Sequence, residues 1–210
     1  MAALLIAIDG PAASGKGTLA RRLASALGLR HLDTGLLYRA VGLKMIEAGL
    51  DPDDHDLAEN VAQSITPADL ESPGLRREGV GEAASKVAAQ PLVRAALLRF
   101  QQIFAHREPG AVLDGRDIGT VILPDADVKL FVTADDEVRA RRRWKELQAG
   151  GLDVIYPAVL EDLRRRDARD ANRKSAPTRP AADAVIIDTS TMDAEEAFRQ
   201  ALSLVRQART

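Results

Sequence analysis

The chain contains no cysteine. That excludes a disulfide scaffold, a thiol nucleophile and thiolate metal sites. Its three histidines, His31, His55 and His106, lie far apart and show no ligand spacing, so a zinc site is not expected. Aromatic residues make up only 3%, which leaves few rings for a single-strand stacking platform and requires a core of Leu, Ala, Val and Ile. No stretch approaches the roughly 20 apolar residues of a membrane span. The first residues have neither the basic region nor the apolar run of a secretory signal. Charge of either sign is not in excess: 29 Lys and Arg face 31 Asp and Glu, a net charge of −2, with no global attraction to nucleic acid. With 210 residues, the expectation is a single cytoplasmic domain with no nucleic-acid or membrane partner. A chain of that length can bury roughly two-thirds of its unfolded surface.

What is present has a clear order. Leu4 to Ile8 is a short apolar run ending in Asp9-Gly10-Pro11, and it reads as a buried strand followed by a turn. From Thr18 to Leu27, leucines at 19, 23 and 27 repeat at helical spacing, and Gly28 closes the helix. Further strand signals fall at Ala111 to Leu113, Val128 to Val132 and Ala184 to Ile187. Helical patterns cover Pro91 to His106, Asp136 to Ala149, Ala158 to Ala171 and Ala194 to Arg206. Strands alternating with helices predict an α/β fold with a parallel sheet. Residues 50–82 show little periodicity and read as the loop-rich part of a helical excursion from that sheet. Arginine is dense between residues 139 and 173, and Gly150-Gly151 interrupts it as a hinge or helix break would.

The strongest signal is Gly10-Pro11-Ala12-Ala13-Ser14-Gly15-Lys16-Gly17-Thr18, a glycine-rich loop between strand and helix. Glycines let backbone N–H groups turn toward phosphate, and the helix N-terminus adds partial positive charge. Lys16 can reach β- and γ-phosphates, and the Thr18 hydroxyl can hold Mg²⁺. The loop does not name the reaction, since kinases, GTPases and motor ATPases share it. No Asn-Lys-x-Asp guanine-recognition motif is present, which counts against a GTPase switch.

Three further groups fall where strand ends are expected, the usual place for ligands in open α/β sheets. Asp33-Thr34-Gly35 with Tyr38-Arg39 brings a hydroxyl, a ring and a cation within one helical turn. A helix N-cap at Asp33 or Thr34 beside a surface arginine accounts for it equally well. Asp114 ends a strand and Arg116-Asp117 follow on a glycine-flanked turn, readable as a metal-holding acid or as a structural ion pair. Arg166, Asp170 and Arg173 share one helix face, as do Arg139, Arg142 and Arg143. Such clusters are either salt-bridged surface or a cradle for polyphosphate. The acids Glu161, Asp162, Asp167 and Asp170 interrupt the arginine-rich stretch and argue against a nucleic-acid patch.

In this order and spacing, the pieces resemble the bacterial cytidylate kinase family over nearly the whole chain. The matching segments are Gly10 to Thr18, Asp33 to Gly35 with Tyr38-Arg39, Ala83 to Ser85 with Val87 to Ala89, and Val93-Arg94. They continue with Asp114 to Thr120, Pro124 to Ala126, Arg166-Asp167, Asp170, Asn172-Arg173, Ala176-Pro177 and Asp183 to Thr189. The resemblance implies a P-loop nucleoside monophosphate kinase fold, a parallel sheet flanked by helices, in one domain spanning 1–210. Its core would be 1–35, 91–138 and 158–210, its monophosphate-binding insertion about 36–90 and its lid about 139–157. It implies a monomer that transfers the γ-phosphoryl of ATP to CMP or dCMP with Mg²⁺.

By the same resemblance, residues Gly10 to Thr18 with Arg139, Arg142 and Arg143 hold ATP. Ser85, Arg94 and Asp117 contact cytosine. Thr34, Tyr38, Arg39 and Arg116 lie along the acceptor nucleotide, and Arg166, Asp170 and Arg173 contact its sugar and phosphate. Lys16, Arg166 and Arg142 are the expected catalytic residues, and Thr18 and Asp114 the expected metal ligands. The chain departs from the family pattern between Ile65 and Glu82, where it is short, and a small strand subdomain is expected to be reduced or missing. The missing catalytic histidine fits the chemistry, since a phosphate monoester is already mostly a dianion near neutral pH. Phosphoryl transfer then asks mainly for positioning and charge stabilisation. Two alternatives remain open: another small-molecule kinase, such as an adenylate, uridylate or shikimate kinase, or a nucleotide-dependent switch.

Overall fold

A computed structural model describes residues 3–77, 79–173 and 175–208. The apolar run at the start forms β1 (Leu4–Asp9), and α1 (Lys16–Leu27) follows the glycine-rich loop. β2 (Arg30–Asp33) leads directly into α2 (Thr34–Glu47). Next come α3 (His55–Gln63), short 3₁₀ turns at Pro67–Glu71 and Pro73–Arg76, α4 (Val80–Val87) and α5 (Pro91–His106). β3 (Gly110–Gly115) and a π-helical turn (Ile118–Ile122) precede β4 (Val128–Thr133). α6 (Asp136–Ala149) and α7 (Tyr156–Asn172) form a helical hairpin, and β5 (Val185–Asp188) with α8 (Ala194–Gln207) completes the order.

Among the described residues, five strands form one sheet in the order β2-β3-β1-β4-β5, every pairing parallel. β1 sits in the centre, and its side chains alternate between two cores. Leu5 and Ala7 pack with Leu37, Val41, Met45, Leu97 and Leu113 on one face. Ile6 and Ile8 pack with Leu19, Leu23, Leu130, Ile187 and Val205 on the other. Burial on both faces is why the strand reads as a continuous apolar run rather than an alternation.

All strands point the same way, so the strand ends Asp9, Asp33, Gly115, Thr133 and Asp188, with Asp114 one residue before its end, lie at one edge of the sheet. Between Asp33 and Gly110 no strand occurs among the described residues; the excursion is helical throughout, held by α2 against α4 and α3 against α5. Helix boundaries depart from the sequence expectation for local reasons. α1 starts two residues early because Gly15, at φ 91, reverses the chain before Lys16. α7 starts at Tyr156 because Pro157 suits a first helical turn. α6 ends on Gly150, and Gly151, at φ 81, turns the chain toward α7. No helix among the described residues is long and apolar enough to cross a membrane.

Candidate active site

The glycine-rich loop hugs the sheet edge. Gly10 has φ 151, and a Cβ there would collide with the Val132 carbonyl, so only glycine lets the loop leave β1 this closely. Ala13 is held at φ 57, a conformation that costs a non-glycine residue energy and that clusters at ligand sites. Lys16 is buried and folds back to donate from Nζ to the Pro11 carbonyl at 3.0 Å. Burial, then the nearby Arg116, push its pKa down to about 7, against the pull of Asp114 and Asp33. The Thr18 side chain is exposed at the start of α1. The Asp114 Oδ1 is engaged by His31 Nε2 at 2.8 Å, and a Cβ on Gly17 would lie 3.5 Å from Asp114 Oδ2. A hydroxyl and a carboxylate oxygen beside the loop are hard oxygen donors suited to Mg²⁺, which keeps several of its own waters. Asp33 is the register partner of Asp114 across β2 and β3. Burial, then the Asp114 charge, raise its pKa; Asp33 also caps α2 by accepting from Gly35 N–H at 3.0 Å.

A second cluster lies on the α2, α4 and α5 side. Asp117 is 4% exposed and Arg94 7%; Arg94 Nη2 donates to Asp117 Oδ2, and Arg173 Nη2 stands 3.6 Å from Oδ1. Burial raises the Asp117 pKa although Arg94, Arg173 and Arg116 all pull it down. Arg94 also approaches the Tyr38 ring, 5.7 Å from its centroid. The Ser85 hydroxyl is buried without a protein partner, and Arg173 Nη2 makes no hydrogen bond beyond its ion-pair contact. Thr34 Oγ1 donates to the Asp114 carbonyl at 2.9 Å. Arg94, Asp117, Tyr38 and Arg173 thus reach one neighbourhood from three helices and a turn, and the unpartnered Ser85 hydroxyl lies on α4.

Between the two clusters, cations crowd together. Arg116 Nε donates to Asp170 Oδ2 at 2.9 Å, and Arg39 Nη1 donates to the Leu75 carbonyl at 2.9 Å. Arg166 Nε is buried without a partner. Burial, then Arg116, lower its pKa to about 10, with Arg39 and Arg143 adding to the fall. Burial and Arg143 likewise lower Arg39. Arg116 and Arg166 thus press on Lys16, and Arg116, Arg39 and Arg143 on Arg166, while Asp33, Asp114 and Asp170 offset part of the repulsion; bound anions would offset more.

The three arginines of α6 expected to hold ATP separate. Arg139 is 4% exposed, and its Nε donates to Ala134 O at 2.9 Å. Its Nη1 donates to Ala12 O at 3.1 Å and Asp167 at 2.5 Å, and its Nη2 to Asp136. All three nitrogens are engaged, so in this arrangement Arg139 is a strut joining α6, α7 and the loop rather than a free cation. Arg142 donates to Thr189 Oγ1 at 2.9 Å and to Thr189 O at 2.7 Å, beside the Ser14 carbonyl. Arg143 pairs with Glu146 and is over a third exposed. Trp144 pins the connection between α6 and α7: its Nε1 donates to Val154 O at 2.9 Å and its ring meets Tyr156 edge-on. Sequence reasoning gave no role to Asp9, His31, Gln101 or Thr189. Asp9 and Gln101 lie within largely apolar elements, His31 in β2 and Thr189 just past β5, and only their partners mark them out.

A family model described as cytidylate kinase matches residues 6–207. A cytidylate kinase of Paramagnetospirillum magneticum is 60% identical over 98% of this chain and 99% of its own. One of Methylocella silvestris is 58% identical, with 98% and 95% covered. The fold is also similar to a solved gluconokinase of Sinorhizobium meliloti, with TM-score 0.51 at 15% identity over 98% of this chain and 94% of the other, a likeness of fold alone. Match to the family model over nearly all its length, together with relatives at this identity, means that the chain belongs to the cytidylate kinase family.

Proposed function

We propose that the chain transfers the γ-phosphoryl group of ATP to CMP or dCMP, giving CDP or dCDP and ADP. Family membership supplies the reaction, and the observation that supports its placement is the chain of neighbouring cations running from Lys16 through Arg116 and Arg166 to Arg39 and Arg143. Two phosphate chains meeting end to end would neutralise those charges. ATP lies along Gly10 to Thr18, its phosphates accepting from backbone N–H groups and from Lys16, which swings off the Pro11 carbonyl. Arg142 and Arg143 reach ATP from the lid, and Arg139 serves it by holding the Ala12 carbonyl. Thr18 and Asp114 would hold Mg²⁺, which when bound neutralises charge on the β- and γ-phosphates.

The acceptor sits on the other side. Asp117 accepts from the cytosine amino group, with Arg94 and the free Ser85 hydroxyl completing base recognition. Asp170 and Arg173 take the sugar, and Thr34, Tyr38, Arg39, Arg116 and Arg166 line the phosphate. Because that phosphate is mostly a dianion at neutral pH, no side chain has to remove a proton. Arg166 and Lys16 stabilise the charge on the transferring group. Residues 36–90 form the monophosphate-binding insertion and 139–157 the lid, hinged at Gly150-Gly151, on a core of 1–35, 91–138 and 158–210. The enzyme works as a cytoplasmic monomer on free nucleotides, without nucleic-acid or membrane partners. A coupled assay of ADP release with Mg-ATP and CMP, dCMP, UMP, AMP or GMP tests this. Turnover with CMP and dCMP is expected, and turnover confined to any other acceptor would overturn the substrate assignment.

A further inference from the structure

Asp9 is the last residue of β1 and the one before Gly10, yet its side chain serves the other side of the site. Oδ1 accepts from the Ile118 N–H at 2.7 Å and Oδ2 from the Gly119 N–H at 2.8 Å. These are the first two donors of the π-helical turn Ile118–Ile122, whose own preceding residue, Asp117, makes no capping bond. Asp9 is thus a cap supplied from a distant strand, 109 and 110 positions away in sequence. Gly119 packs tightly against Lys129, where a Cβ would lie 3.2 Å from Cδ, and in ordinary contact with Asp9, where it would lie 3.5 Å from Oδ2. The carboxylate is 3% exposed, and burial pushes its pKa up to about 6 in spite of the two N–H donors. A buried carboxylate is a costly way to cap a turn, and what it adds is two charge-assisted bonds of fixed direction.

We propose that Asp9 is a positioning residue for the acceptor nucleotide: it fixes the turn carrying Arg116 and Asp117 against the strand that opens the phosphate loop, and so registers acceptor against donor. This rests on reading Asp117 as a cytosine contact. Asp9→Asn keeps the shape but leaves an amide N–H₂ facing a backbone N–H, so one tether is lost. Gly119→Ala crowds the same turn from the Lys129 side with Asp9 intact. It also keeps the idea testable should Asp9→Asn not fold.

The experiment is steady-state kinetics of both variants and of Asp117→Ala with CMP, UMP and ATP, beside thermal melts. Loss of one charge-assisted bond predicts a KM for CMP raised about tenfold in Asp9→Asn, a narrower CMP-over-UMP preference, and a KM for ATP within about twofold of the parent. Gly119→Ala shifts CMP in the same direction, and the double variant is less than additive. Parallel rises in KM for CMP and ATP, or an unchanged CMP-over-UMP preference, would overturn it. If Asp117→Ala narrows that preference and Asp9→Asn does not, the inference about Asp9 fails alone. If neither does, the cytosine reading of Asp117 has failed and takes the inference with it.

Discussion

If Asp117 contacts cytosine as proposed, its replacement by alanine is the sharpest perturbation of base recognition. Its carboxylate is 4% exposed and stands between Arg94, 7% exposed, and Arg173, whose side chain is 5% exposed. Asp117→Ala leaves two buried guanidinium groups facing each other without their anion. Breaking a buried pair costs about 3–5 kcal/mol. Burial already raises the Asp117 pKa, so its ionised form carries a desolvation penalty that the variant relieves. Net destabilisation of about 2–3 kcal/mol follows, or a fall of roughly 4–12 °C in Tm for a chain of this size. Cytosine would also lose the acceptor for its amino group, while uracil would lose an unfavourable carbonyl-to-carboxylate contact. An unpaired buried acceptor is worth about 1–3 kcal/mol, so the kcat/KM preference for CMP over UMP should narrow by about fivefold to a hundredfold. Thermal melts and kinetics on both monophosphates read the two effects separately. A lower Tm with an unchanged CMP-to-UMP ratio would refute the recognition argument and leave Asp117 a structural ion-pair partner.

Other outcomes follow from the same geometry. Lys16 has a pKa of about 7 without ligand, and bound phosphates favour its charged form, so ATP binding at pH 8 should take up a fraction of a proton approaching one. Calorimetry in buffers of different ionisation enthalpy measures that uptake, and Lys16→Met should abolish it; proton release would contradict the assignment. Arg139→Ala removes the partner of Asp167 and Asp136 and the tie to Ala12 O, and should destabilise the protein by about 2–4 kcal/mol in chemical unfolding. Arg139→Lys should rescue little of it, because an ammonium cannot span those acceptors. Hydrogen exchange over residues 139–157 should slow when CMP and a non-hydrolysable ATP analogue bind together, and equal exchange with and without ligands would count against a moving lid.

The parts of the architecture most legible in sequence were those set by short-range periodicity and by turn chemistry. β1 reads as buried because both of its faces are covered, and α5 and α6 run over the spans their apolar spacing suggests. Residues 50–82 hid α3 because its nine residues bury only Ala58 and Ala62, too few to make a visible stripe. The glycine-rich loop was legible because its close exit from β1 demands glycine, as the collision of a Gly10 Cβ with the Val132 carbonyl shows. Arg139 was not: the same spacing places it beside Arg142 and Arg143, and only Asp136 and Asp167 make it a strut. Asp9 and Gln101 were silent for the same reason. Asp9 binds a turn that enters the sheet more than a hundred residues later, and the buried Gln101 donates to Leu97 O and touches Tyr38.

On the proposed function, Lys16, Arg39, Arg116, Arg143 and Arg166 hold two phosphate chains end to end. The most direct measurement is the affinity of a bridged ligand, adenosine and cytidine joined through five phosphates. The account predicts binding tighter than that of ATP or CMP alone, competitive with both, and weakened by Arg166→Ala. Competition with ATP alone, or affinity no better than that of ATP, would contradict it.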